Sequence, residues 1–138
     1  MAPPRRRAAP AGPNVVDSSA WLEYFADGPN AEHFAPAIEA TGELVVPAIT
    51  ILEVFKRVAQ QRGEDAALQA VALMEQGQVV PLDGPLALAA AKLGLDHRLP
   101  LADSIILATA REAGAVVWTQ DADFEDLPGV RYYPRRVS

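Results

Sequence analysis

Carboxylates are the side chains of this chain with the numbers and the spacing to do chemistry. Eighteen of 138 residues are Asp or Glu, against two histidines and no cysteine. Without cysteine there are no disulfides and no thiolate metal sites. A Ser-His-Asp arrangement would have to use His33 or His97, and neither is flanked by a G-x-S-x-G elbow. The glycines form neither G-x-G-x-x-G nor a Walker loop, which argues against a nucleotide cofactor. What remains is a set of acids, Asp17, Glu53, Asp103 and Asp121, on four separate segments.

The elements that must position them follow from the apolar pattern. Residues 14–17 form a short apolar run with a polar end, as a buried strand does. Trp21, Leu22 and Phe25 then recur at helical spacing, and a second helix runs to about Ala40. Residues 44–46 are a second strand, stopped by Pro47, and a helix follows to Arg62, where Gly63 ends it. Another helix over 64–76 leads to a third strand over 78–82. Asp83-Gly84-Pro85 opens an alanine-rich helix to about Leu95. Pro100 stands where a helix-starting proline belongs, Gly114 ends that helix, and residues 115–118 are a fourth strand. Residues 130–133 offer a short fifth. Strands alternating with helices argue for an α/β domain whose parallel sheet is covered on both faces.

In such sheets ligands gather beyond the carboxyl ends of the strands. The four acids fall at that edge: Asp17 ends the first strand, Asp121 follows the fourth, and Glu53 and Asp103 are expected in first helical turns. Each also has a structural explanation of its own. Asp17 suits an Asx turn, Thr50-x-x-Glu53 a capping box, Asp103 a helix-dipole partner and Asp121 an N-cap. Together these explanations weaken, because carboxylates converging from separate segments repel one another and raise one another's pKa values. A divalent cation removes that penalty. All-oxygen ligation suits Mg²⁺ or Mn²⁺ rather than zinc. A cation held this way activates a water and stabilises charge on a phosphate under attack.

Charge and length bound the rest. The net charge is −6, yet Arg5, Arg6, Arg7, Arg131, Arg135 and Arg136 supply half of the twelve basic residues. Between Asn14 and Val130 stand 18 acids and 6 bases, a net of −12. Such a domain repels nucleic acid unless cations intervene; the competing reading is a surface acidic for solubility. The longest stretch without Asp, Glu, Lys or Arg is nine residues, far short of the roughly 20 that cross a bilayer. No signal peptide is evident, so a cytoplasmic protein without membrane association is expected. Residues 1–13, with four prolines and three arginines, read as a flexible tail ahead of a single domain over 14–134, with 135–138 as a second tail.

The segments VVDSSAWLEYF (15–25), VPAITILEVFKR (46–57), LPLADSIILATA (99–110) and WTQDADF (118–124) together resemble the PIN-domain family. The likeness is greatest to VapC-type toxins of bacterial toxin–antitoxin pairs, and covers about 14–134. It implies a three-layer α/β/α sandwich around a four- to five-stranded parallel sheet. It also implies an Mg²⁺- or Mn²⁺-dependent endoribonuclease, in which a water attacks an RNA phosphodiester in line. Asp17, Glu53, Asp103 and Asp121 match the family's acidic positions and would hold the metal, with Glu53 alternatively accepting a proton. Asp123 is a further acid whose participation varies among members, and Ser18 and Thr119 match hydroxyls that support the carboxylates. Lys56 and Arg57, beyond Glu53 on the same helix, would neutralise substrate phosphates or form a plain salt bridge. The resemblance further implies a homodimer and a cognate antitoxin that blocks the site. Two other readings stand beside it: a non-catalytic scaffold of the same fold, and a Mg²⁺-dependent phosphatase, against which the absence of a D-x-D start after the first strand counts.

Overall fold

The computed structural model describes residues 11–137. Most of the expected N-terminal tail, residues 1–10, lies outside the described residues. Five short strands form one sheet: β1 (Asn14–Val16), β2 (Leu44–Pro47), β3 (Gln78–Val80), β4 (Val116–Thr119) and β5 (Val130–Tyr132). Their order is β3-β2-β1-β4-β5 and every pairing is parallel. Six α-helices connect them: α1 (Ser18–Phe25), α2 (Ala31–Glu39), α3 (Ala48–Arg62), α4 (Glu64–Met74), α5 (Gly84–His97) and α6 (Leu101–Ala113).

Alternation along the central strands assigns the two faces. Val16, Val46 and Trp118 point to one side, where Trp21 of α1, Phe34 of α2, Val54 of α3 and Met74 of α4 cover them. Val15, Val45 and Val117 point to the other, against Ile106, Leu107 and Ala110 of α6. Alpha5 lies further out, packing through Leu86 and Ala90 on Ile105 and Ala108 of α6. The three-layer α/β/α sandwich follows: strands covered on both faces must be apolar throughout, and parallel strands need crossovers that place helices there.

One buried polar contact joins the central strands. The Trp118 indole N–H donates to Asn14 Oδ1 at 2.9 Å, with Asn14 fully buried. Because β1 pairs with β4 through Asn14↔Val116 and Val16↔Trp118, the bond runs diagonally across neighbouring residues of one face.

Element ends differ from the sequence-based expectation where proline intervenes. Pro47 closes β2 from within, pairing with Val80, and is also the N-cap of α3. With Pro47 as the cap, Thr50 is the third residue of the helix and not its N-cap. The expected Thr50–Glu53 box is therefore absent; Thr50 Oγ1 instead donates to the Pro47 carbonyl at 2.7 Å. Glu53 sits in the second turn of α3, one turn later than expected. Beta3 stops at Val80, two residues short of the expected end, because Pro81 cannot donate to a ladder. Gly114, at φ +64°, turns the chain from α6 towards β4.

Close approach fixes the edge of the sheet at Gly77. A Cβ there would lie 2.8 Å from the Leu44 carbonyl oxygen and 2.9 Å from Leu44 Cγ. Gly77→Ala should therefore push β3 off β2 and lower unfolding free energy by about 1–3 kcal/mol, read by urea denaturation. Wild-type stability in that variant would show that β3 is free to shift.

Candidate active site

Parallel strands bring their carboxyl ends to one edge, and the acids assemble there. Asp17 follows β1 directly, is 2% exposed, and caps α1. Three hydrogen bonds converge on its Oδ2: from Ser19 Oγ at 2.6 Å, Thr119 Oγ1 at 2.8 Å and Ser19 N–H at 3.4 Å. Thr119 is the last residue of β4, so this bond ties the two central strands together at the site. Its hydroxyl also accepts from the Asp121 N–H at 2.9 Å. Asp121 in turn caps a 3₁₀ turn over Ala122–Phe124, its Oδ1 accepting from Asp123 N–H at 2.9 Å. On the other side of Asp17, Ser18 Oγ donates to Glu53 Oε1 at 2.6 Å.

Asp103 approaches from α6 and completes the set. It lies in the first turn and is buried. One carboxylate oxygen each from Asp103, Asp121 and Asp123 lie within 4.8 Å of one another. Burial pushes the Asp103 carboxyl up to about 8, and the charges of Asp17, Asp121, Asp123 and Glu53 push in the same direction. Asp17 is also raised, mainly by burial and further by Asp121, against the lowering effect of its hydroxyl partners. Two carboxyls held above their ordinary value mark a site that stabilises charge of the opposite sign.

The expected acids thus meet. Asp17, Glu53, Asp103 and Asp121 line one open cleft of ≈ 580 Å³, with Lys56 and Arg57 on its rim. Asp123, left uncertain by sequence, stands with Asp103 and Asp121. Among the described residues neither Lys56 nor Arg57 forms an ion pair, so the plain salt bridge is not made. Ser18 and Thr119 both hold carboxylates.

Ser19, which sequence reasoning passed over, is the strongest support of Asp17. Its position two residues after an N-cap acid was the available signal. Its hydroxyl also accepts from the Gln120 N–H at 3.3 Å. Arg135, one of the basic residues that the sequence gathers near its ends, also reaches the cleft from the segment after β5. His33 stands in the first turn of α2; its ring stacks on Tyr133 at 4.4 Å and its Nε2 meets Arg136 Nη2 at 3.0 Å. Tyr133 also stacks against Trp118 at 6.4 Å, so it serves the fold.

A parallel α/β sandwich with an acidic cleft at its carboxyl edge defines the class of domain. The model of the PIN domain family matches residues 15–130, and the chain belongs to that family, one of nucleases. No curated protein matches the chain in sequence. Solved structures share the fold. A toxin–antitoxin complex from Klebsiella pneumoniae superposes with a TM-score of 0.74 at 23% identity, covering 88% of this chain and 99% of the other. VapC20 of Mycobacterium tuberculosis, a sarcin-ricin-loop-cleaving toxin, gives 0.71 at 19% identity, covering 84% and 95%. DNA-bound VapBC from Salmonella typhimurium gives 0.68 at 18% identity, covering 89% and 98%. Among the described residues no helix is long and apolar enough to cross a membrane.

The raised carboxyl sets a pH dependence. Asp103 ionises near 3.8 in an unfolded chain and near 8 when folded. Below that window it is neutral in both states; within it the unfolded chain ionises while the folded one stays protonated, so each rise in pH favours unfolding until both are ionised above it. In chelator, wild-type Tm should therefore fall relative to Asp103→Asn as pH rises from about 5 to about 8, read by thermal denaturation. A constant difference between the two proteins across that range would refute the assigned repulsion.

Proposed function

We propose that the protein is a metal-dependent endoribonuclease and the toxin of a toxin–antitoxin pair. The observation that carries this reading is the meeting of Asp17, Glu53, Asp103 and Asp121 in one cleft, with Asp123 beside them and, among the described residues, no cation paired to them. Fold neighbours described as toxin–antitoxin complexes, and one as a cleaver of the sarcin-ricin loop, support RNA as substrate and an antitoxin as partner. A homodimer acting in the cytoplasm, blocked by its cognate antitoxin, completes the proposal.

The donor set fits Mg²⁺ or Mn²⁺. Its ligands are carboxylate oxygens alone, and their mutual repulsion is the energy that a hard cation relieves. Asp103, Asp121 and Asp123 would hold it, with Asp17 adjoining. The bound ion would supply Lewis-acid activation of water and charge neutralisation at the phosphate.

The remaining roles belong to the protein. Ser19 and Thr119 fix the rotamer of Asp17 so that its carboxylate meets the cation without reorganisation. Glu53, with one oxygen held by Ser18, keeps a carboxylate directed into the cleft to accept a proton from the attacking water. Lys56 and Arg57 on the rim balance the phosphate charge that five acids would otherwise repel.

Purified protein should cut RNA with Mg²⁺ or Mn²⁺ and stop on addition of EDTA. Asp17→Asn and Asp103→Asn should each lose more than the ~100-fold that removal of an outer partner causes, with the circular dichroism of the folded protein retained. Ser19→Ala should weaken Mn²⁺ activation by roughly 10–100-fold. Cleavage by both Asn variants at the wild-type rate would end the nuclease assignment.

A further inference from the structure

The acidic cleft does not end at the carboxylates. A second groove, of ≈ 320 Å³, opens from it between α1 and α3 and shares Ser19, Leu22, Arg57 and Arg135 with it. Its far end reaches Arg62, the last residue of α3. One wall is apolar, from Leu22, Phe25 and Val58. Its one acid, Glu23, is engaged by the Asn30 N–H at 2.8 Å. The groove is therefore the reverse of the cleft in sign: three guanidinium groups beside an apolar surface, in a domain that is otherwise strongly acidic.

Arg135 is the member that the chain goes furthest to place. The Asn30 side chain, 1% exposed, donates one N–H to the Pro134 carbonyl at 2.9 Å and another to Gln120 Oε1 at 3.1 Å. Tyr133 N–H donates to the Thr119 carbonyl at 2.9 Å, and its ring stacks on His33. Residues 133 and 134 are thus tied down next to the site, and Arg135 follows at the mouth. Its neighbours in sequence are committed elsewhere: Arg131 lies over the Trp118 ring at 4.9 Å, and Arg136 meets His33. Among the described residues Arg135 has no hydrogen bond or ion pair. It also lies beyond residue 130, the last that the family model matches.

We propose that Arg135, with Arg57 and Arg62, forms a phosphate track that seats single-stranded RNA flanking the scissile bond in the groove between α1 and α3. The proposal rests on the nuclease reading. Charge complementarity selects the occupant: planar guanidinium forks bind phosphate bidentately, and an apolar wall accepts an unstacked base. A duplex does not offer its bases to such a wall. The track also resolves an electrostatic conflict, since a polyanion entering a cleft lined by four carboxylates needs cations that those carboxylates have not already captured. Arg135 acts as a positioning residue and touches flanking phosphates, not the reacting bond.

The test uses full-length protein carrying Asp103→Asn, with Mg²⁺ and a short fluorescein-labelled single-stranded RNA of mixed sequence. Anisotropy titrations across salt concentrations compare it with versions that also carry Arg135→Ala, Arg135→Lys or Arg111→Ala. Arg111 lies in the last turn of α6, at the opposite end of that helix from Asp103. Arg135→Ala should bind roughly tenfold more weakly and lose about 0.7 from the salt slope, the share of one phosphate on a single strand. Arg135→Lys should restore the slope, and Arg111→Ala should match the parent. In otherwise wild-type protein, Arg135→Ala should raise KM with kcat unchanged. Equal affinity and slope for the Arg135→Ala and parent proteins would overturn the proposal and leave the groove to a protein partner. RNA binding that depends on Arg135 without cleavage by the wild type would instead sink the nuclease reading and leave the track standing.

Discussion

Carboxylates repel, and a fold that gathers five of them must spend stability elsewhere to hold them. That constraint explains much of the architecture. Asp103, in the first turn of α6, is raised first by its burial and then by the charges of Asp17, Asp121, Asp123 and Glu53. Its helix supplies a partial remedy, since the first turn of α6 presents unpaired N–H groups and the positive end of the helix dipole. Asp17 has a different remedy in two hydroxyls and a backbone amide. The opposing layers of aromatic and aliphatic packing on the sheet supply the rest. A site of this kind is preorganised for a cation because the protein alone leaves its charge unbalanced.

Charge separation gives the cleft its second property. Lys56, Arg57 and Arg135 stand on the rim and, among the described residues, form no ion pair with the acids below them. Had they folded inward as salt bridges, the carboxylates would be satisfied and a metal redundant. Held apart, the acids remain available to a cation and the bases to a polyanion. The pattern is hard to see in a net charge of −6, which averages the two.

How much of this was legible in the sequence depends on range. Beta1, β2 and β4 announced themselves because strands buried on both faces are valine-rich throughout, and each acid was marked by the element it follows. Proline effects were legible in kind but not in detail: Pro47 ends β2 yet belongs to it, and so moves Glu53 one turn along α3. Contacts between segments distant in sequence were not legible. Ser19 meets Thr119 across a hundred residues, and Asn30 meets Pro134 across more. No local pattern encodes those pairings. Asp121 was singled out ahead of Asp123, and the 3₁₀ turn that Asp121 caps brings both towards Asp103.

The Asn14–Trp118 hydrogen bond has a reach beyond its own strands. A parallel pair of valine-rich strands has little to stop it sliding, since one apolar contact replaces another at small penalty. An amide oxygen and an indole N–H sealed from water accept no such substitution; displaced by a single step, both are left unpaired in the interior. The two strands lead to Asp17 and to Asp121, so their alignment sets how far apart those two acids emerge. The spacing of the acidic centre is therefore gauged at the opposite end of β1, by a contact buried in the sheet.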